Sequence, residues 1–139
     1  YWNDDAYIND RGEVFVADYV SDGDLPHLYG PKGTAPRVME EYEQFNRLLF
    51  KSGNVIELLK LNDRGAWEFH NSSGTKILLG NEDIRERLQR SVDILFEIKN
   101  KSLGTPTLID ARYNNGAAVK WNNKLELAEN SSLQRDMSL

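Results

Sequence analysis

The chain contains no cysteine. That removes disulfide frameworks, thiol nucleophiles and every zinc site built on thiolates, leaving two histidines and the carboxylates as conventional metal ligands. A chain without thiols suits an oxidising or a reducing compartment equally. Positive charge is scarce as well: 17 Lys+Arg stand against 22 Asp+Glu in 139 residues, a formal net charge of −5. Without a diffuse positive field, counterion release offers little binding energy, and nucleic acid is not an expected partner. Long apolar runs are also missing. The most apolar stretches, 55–61 and 77–79, fall far short of the roughly 20 residues that span a bilayer, and no basic-then-apolar start marks a signal peptide. The chain opens on Tyr1-Trp2 rather than Met, and we expect it to be a segment of a longer protein.

What is present is one domain's worth of sequence with short, well-punctuated elements. Glu13–Tyr19 has strand composition after the turn Asn9-Asp10-Arg11-Gly12. Pro26 and Pro31 make continuous ladder pairing improbable between them. A helix is predicted after Thr34 as N-cap, with Val38, Met39, Tyr42, Phe45, Leu48 and Leu49 on its apolar face and Gly53 closing it. A second helix is predicted from Asn81 as N-cap, with Ile84, Leu88, Val92, Leu95 and Ile98 inward and Arg85, Glu86, Arg87, Gln89 and Arg90 solvated. Between them, 55–61, 66–70 and 75–79 are strands, the last two flanking the turn Asn71-Ser72-Ser73-Gly74. A final hairpin joins 107–113 to 117–121 around Asn114-Asn115-Gly116. The self-consistent register, with Gly116 left-handed, puts Ile109, Ala111 and Tyr113 on one face with Ala117, Val119 and Trp121. Residues 122–139 turn polar and are predicted to be a weakly packed tail. This order gives an α+β domain, a mainly antiparallel sheet with two amphipathic helices on one side.

Chemistry-bearing clusters are few. His27 lies in a Pro-bounded loop and His70 on a strand's polar face, neither with a second histidine at ligand spacing. Asp4-Asp5, Asp22/Asp24 and Glu82-Asp83 have turn and helix-capping explanations. Gly30-Pro31-Lys32-Gly33-Thr34 lacks the full phosphate-loop pattern and a leading buried strand. No metal, cofactor or catalytic set is expected, the alternative being a ligand-binding or hydrolytic domain using His27, His70 and the acidic loops. The unusual feature is the last hairpin: Tyr113 and Trp121 beside a strand of glycine and alanine, expected at the sheet edge and able to accept a strand from another chain. The same two aromatics suit a core equally well.

The stretch Arg112-Tyr113-Asn114-Asn115-Gly116-Ala117-Ala118-Val119-Lys120-Trp121, preceded by Leu108-Ile109-Asp110-Ala111, resembles the "VDLRY-x-x-G-x-A-V-x-W" end of the bacterial cell-division family FtsQ (DivIB). Trp2-Asn3-Asp4 with Gly12-Glu13-Val14-Phe15, Leu25-Pro26-His27-Leu28-Tyr29-Gly30-Pro31, Gly65-Ala66-Trp67, and Ile77-Leu78-Leu79-Gly80 with Arg85 and Arg87-Leu88 resemble further family segments in the same order. The resemblance covers residues 2–121. It implies a periplasmic β domain at 1–121 of an inner-membrane protein whose cytoplasmic tail, transmembrane helix and POTRA domain lie outside this chain. It also implies a non-catalytic scaffold at the division septum that binds FtsB and FtsL and joins other divisome components. Carried over residue by residue, the implied contacts are Arg112 on a partner carboxylate, Tyr113 and Trp121 on apolar side chains, and Asn115, Gly116, Ala117 and Val119 in or beside the pairing strand. Where family members often carry a second arginine before the strand Trp, this chain has Gly65, so Arg64 is the candidate substitute. A competing expectation keeps the scaffold role but moves the contact to the Arg85/Arg87/Arg90 helix face.

Overall fold

The computed structural model describes residues 1–16, 25–121 and 124–129, the last of these as backbone. Chain order is β1 (Tyr7–Ile8), β2 (Val14–Phe15), β3 (His27–Tyr29), α1 (Ala35–Phe50), β4 (Ile56–Leu61), β5 (Trp67–Asn71), β6 (Lys76–Gly80), α2 (Ile84–Asn100), β7 (Leu108–Asp110), β8 (Gly116–Trp121) and β9 (Lys124–Glu129). Strands β3 to β9 form one sheet in simple sequence order, and β1–β2 is a separate small ribbon. The α+β expectation holds. The sheet is antiparallel at β4–β5, β5–β6, β7–β8 and β8–β9 and parallel at β3–β4 and β6–β7. Each parallel step is the crossover that a helix makes, α1 in the first case and α2 in the second. Both crossovers advance in the same direction along the sheet, so a common handedness puts both helices on one face.

That face is the core. Leu59, Leu61, Trp67, Phe69, Ile77, Leu79, Ile109, Ala117 and Val119 from the strands meet Val38, Phe45 and Leu49 of α1 and Leu88, Ile94 and Ile98 of α2. Phe45 contacts the rings of Trp67 and Phe69 at centroid distances of 6.1 Å. The period-2 and period-3.6 patterns in the sequence thus point at one another.

Three connections share one device. Asn9, Asn62 and Asn71 each accept two backbone N–H bonds on their side-chain oxygen, from residues two and four positions on. Each turn has glycine three residues after the asparagine, at φ of +77°, +80° and +92° for Gly12, Gly65 and Gly74. The asparagine mimics a strand partner while glycine takes the left-handed step.

Several expectations are corrected. Helix α2 starts at Ile84, not after Asn81. Gly80 and Asp83, at φ +75° and +49°, fold the chain back first, and the opening bond runs from Arg87 N–H to Asp83 C=O at 2.9 Å. Thr34 does precede α1, but its hydroxyl donates to Pro31 C=O instead of accepting from the helix. The predicted strand 13–19 is observed only as Val14–Phe15, and residues 17–24, with Asp22/Asp24, lie outside the described residues. Gly116 is not left-handed; it begins β8 after a five-residue connection. Its register still pairs Ile109 with Val119 and Asp110 with Ala118, so the predicted face assignment of those strand residues stands. Residues 124–129, read from sequence as part of a polar tail, form β9 along the whole of β8.

The far side of the sheet is closed differently. Trp2 is buried and makes a parallel bridge to Leu28. Leu28 N–H donates to Tyr1 C=O and Asn3 N–H to Leu28 C=O, both at 2.9 Å. Asn3 also exchanges two bonds with the Gly30 backbone.

Candidate functional site

The connection 111–115 is the centre of the candidate site, and a side chain from α2 builds it. Arg90 is 5% exposed. Its Nη1 donates to Tyr113 C=O at 2.8 Å and Gly116 C=O at 3.2 Å, and its Nη2 to Asn114 C=O at 3.0 Å. One planar fork therefore satisfies three carbonyls that a tight turn would otherwise leave facing protein. Arg87, also buried, donates to Leu79 C=O at 2.9 Å at the end of β6. Gly80 leaves room for it: a Cβ there would come within 2.8 Å of Arg87 Nη1 and 3.3 Å of Arg112 Cγ.

These contacts overturn the solvated-arginine expectation. Arg87 and Arg90 lie in phase with the buried stripe, Arg87 three residues after Ile84 and Arg90 four before Ile94, a phase that could have revealed them in the sequence. Arg85 is on the surface but bonded to Glu41 at 3.0 Å and Gln44 at 3.3 Å on α1. The competing Arg85/Arg87/Arg90 contact surface is therefore not available as an exposed basic patch.

On this scaffold the connection presents Tyr113 at 49% exposure, with Arg112, Asn114 and Asn115 also exposed. Arg112 is already engaged: Nε and Nη2 reach Asp110 Oδ1 and Oδ2 at 2.8 and 2.7 Å, and its backbone N–H also bonds Oδ1. Burial pushes the Asp110 carboxyl up, but the bonds and charge of Arg112, with Arg87 behind, outweigh it and hold the group below its ordinary value. The hydrogen bond to Asp110 in turn raises Arg112. A partner carboxylate would have to share or replace Asp110.

Gly116, Ala117 and Val119 are buried within the sheet, and Trp121 is half-buried against the core. Strand β8 is not the edge that the sequence suggested, because β9 pairs with it from Gly116↔Glu129 to Trp121↔Lys124. Among the described residues the buried indole N–H of Trp121 has no hydrogen-bond partner. Arg64 sits on the β4–β5 turn, at the same end of the sheet as Asp110 and Gly116. From β5 to β8 is three strand spacings, about 14 Å, while the Arg112 side chain lies over Gly80 of β6, the strand next to β5. Gly65 beside Arg64 carries the +80° φ of its turn, which favours glycine at that position.

The alternative histidine site gains no geometry. His27 and His70 share a cross-strand row, both facing Leu58, two strand spacings or about 10 Å apart. His70 lies 3.3 Å from Glu68, while His27 stacks on Tyr1 at 4.8 Å. Among the described residues no three His, Asp or Glu side chains gather as a metal site, and no helix is long and apolar enough to cross a membrane.

Residues 1–112 match the family described as "Cell division protein FtsQ/DivIB, C-terminal". Among curated relatives, "Cell division protein FtsQ" of Vibrio cholerae is 36% identical over 129 residues, covering 92% of this chain and 49% of that protein. The protein of the same name from Shewanella oneidensis is 35% identical over 122 residues, 87% of this chain and 46% of its own length. That of Escherichia coli is 30% identical over 126 residues, 86% and 45%. The chain spans about half the length of the curated relatives it matches. With the family match extending over most of the chain and the α+β architecture in place, the chain belongs to the FtsQ/DivIB family of cell division proteins.

Proposed function

We propose that this domain is a non-catalytic scaffold of the division machinery. It docks FtsB- and FtsL-like bitopic proteins at the C-terminal side of its sheet, on the periplasmic face of the inner membrane at the septum, with the anchor outside this chain. The observation that carries the reading is the clamped 111–115 connection: a half-exposed Tyr113 held in place by Arg90 beside the glycine–alanine strand β8. A large aromatic on a backbone held by a buried fork pays little backbone entropy on contact, which favours a binding hot spot. Strand addition would supply main-chain affinity and Tyr113 and Trp121 the side-chain selectivity. Arg112 would meet a partner carboxylate in competition with Asp110. Arg64, on its own turn, is a peripheral contact for a partner that runs across the end of the sheet.

The test is Tyr113→Glu, because the exposed side chain can be changed without touching the core. Affinity for the extracytoplasmic region of the cognate FtsB-like protein should fall by more than about tenfold, with the circular dichroism spectrum and melting temperature unchanged. Unaltered affinity in a folded variant would move the contact elsewhere.

A further inference from the structure

The direction of the backbone in β8 shows what β9 covers. Lys120 C=O accepts Thr107 N–H at 2.8 Å, on the β7 side. Ala111 N–H turns to Leu78 C=O in β6, which leaves the alternate β7 residues Leu108 and Asp110 facing Lys120 and Ala118. In an antiparallel ladder the N–H and C=O of one residue point the same way, and neighbours alternate. Ala117, Val119 and Trp121 therefore direct their main-chain groups away from β7, toward their β9 partners Ala128, Glu126 and Lys124. These are the groups that strand addition on β8 needs, and they are already in use.

Three features make β9 removable. It is the last strand of the sheet and, among the described residues, pairs with β8 alone, so it is held from one side. Only residues 122–123 separate it from β8, which keeps it at a high effective concentration without fixing it there. Among the described residues Trp121 Nε1 is buried and unpaired, a want that a different strand bearing an acceptor would relieve. We propose that β9 is an internal occupant of the docking edge, and that a partner β-strand reaches Ala117, Val119 and Trp121 by displacing it. This rests on the docking reading above and adds a regulatory step: binding competes with an intramolecular strand.

The pair Lys120 and Leu125 provides a lock. It is a non-hydrogen-bonded pair in this register, with Cα atoms expected about 4.5 Å apart, within disulfide reach, and the chain has no cysteine to interfere. In the full chain, Lys120→Cys with Leu125→Cys should bind the extracytoplasmic region of the FtsB-like partner at least about tenfold more weakly when oxidised than when reduced. Glu126→Pro, which deletes the N–H facing Val119, should bind more tightly than the parent chain. Leu127→Pro deletes an N–H that points outward and should bind no more weakly than the parent. Equal binding by locked and reduced chains, with Tyr113→Glu still abolishing it, overturns displacement while leaving the docking reading intact. Loss in Leu127→Pro but not in the locked chain also overturns it, placing the partner on the outer edge of β9. Absence of binding in every form, Glu126→Pro included, rejects both.

Discussion

The turns of this domain are made in two ways. At 62–66 and 71–75 the geometry is written into five adjacent residues: an asparagine oxygen takes two N–H groups and a glycine supplies the left-handed step. At 111–115 the clamp comes from Arg90, more than twenty residues upstream on α2, and it grips carbonyls rather than side chains. A locally coded turn ties its shape to its own side chains. A remotely clamped one leaves Tyr113, Asn114 and Asn115 free to present chemistry while their backbone is held, an arrangement suited to a contact surface.

The largest test of this contrast is Arg90→Ala. Three carbonyls and a buried cavity are left behind, so unfolding free energy should fall by on the order of 3 kcal/mol, measured by urea denaturation, and Arg90→Lys should restore only part because an ammonium cannot span the fork. Next, Asn71→Ala should cost about 2 kcal/mol, since its buried side chain serves Ser73 and Thr75 and also donates to Asn54. The more exposed Asn62→Ala should cost about half that. A difference in the opposite order would show that burial does not set the strength of these caps. Gly65→Arg adds a second cation beside Arg64; its Cβ meets open space, but the +80° φ should cost about 1–2 kcal/mol. If the docking reading holds, the same variant should bind the partner more tightly despite being less stable. The smallest effect belongs to the Asp110–Arg112 pair, half in solvent and worth less than about 1 kcal/mol. Because the Asp110 carboxyl is held below its ordinary range, its contribution is complete at neutral pH and fades as pH falls below about 4. The stability difference between the parent and Asp110→Asn should shrink over that acid range.

The same contrast explains what the sequence made legible. The apolar helix faces, the strands expected at 55–61, 66–70 and 75–79 and the turns at Asn9–Gly12 and Asn71–Gly74 are short-range patterns, and the observed strands start and end within one residue of the expected bounds. Arg87 and Arg90 break the pattern, because charge ordinarily means solvent, whereas a guanidinium can lie inside the core when it donates to backbone carbonyls there. The start of α2 was misplaced because Asn81 is a good cap only if the chain enters the helix there, and packing of Arg87 beside Gly80 delays the entry. Strand β9 was hidden for another reason: alternation over 124–129 is short, and nothing local says that β8 will still have unpaired groups to offer. The family resemblance, carried by Arg112 to Trp121, nominates this region as the contact but does not reveal β9 paired beside it.

The closure at the other end of the sheet has a consequence for assembly. With residues 1–3 bonded along β3, the sheet resembles a monomer with one blocked terminus: among the described residues that edge is covered, and the docking reading uses the β8–β9 side. On that reading each domain would take one added strand, as a chain stopper does, and would not template copies of itself.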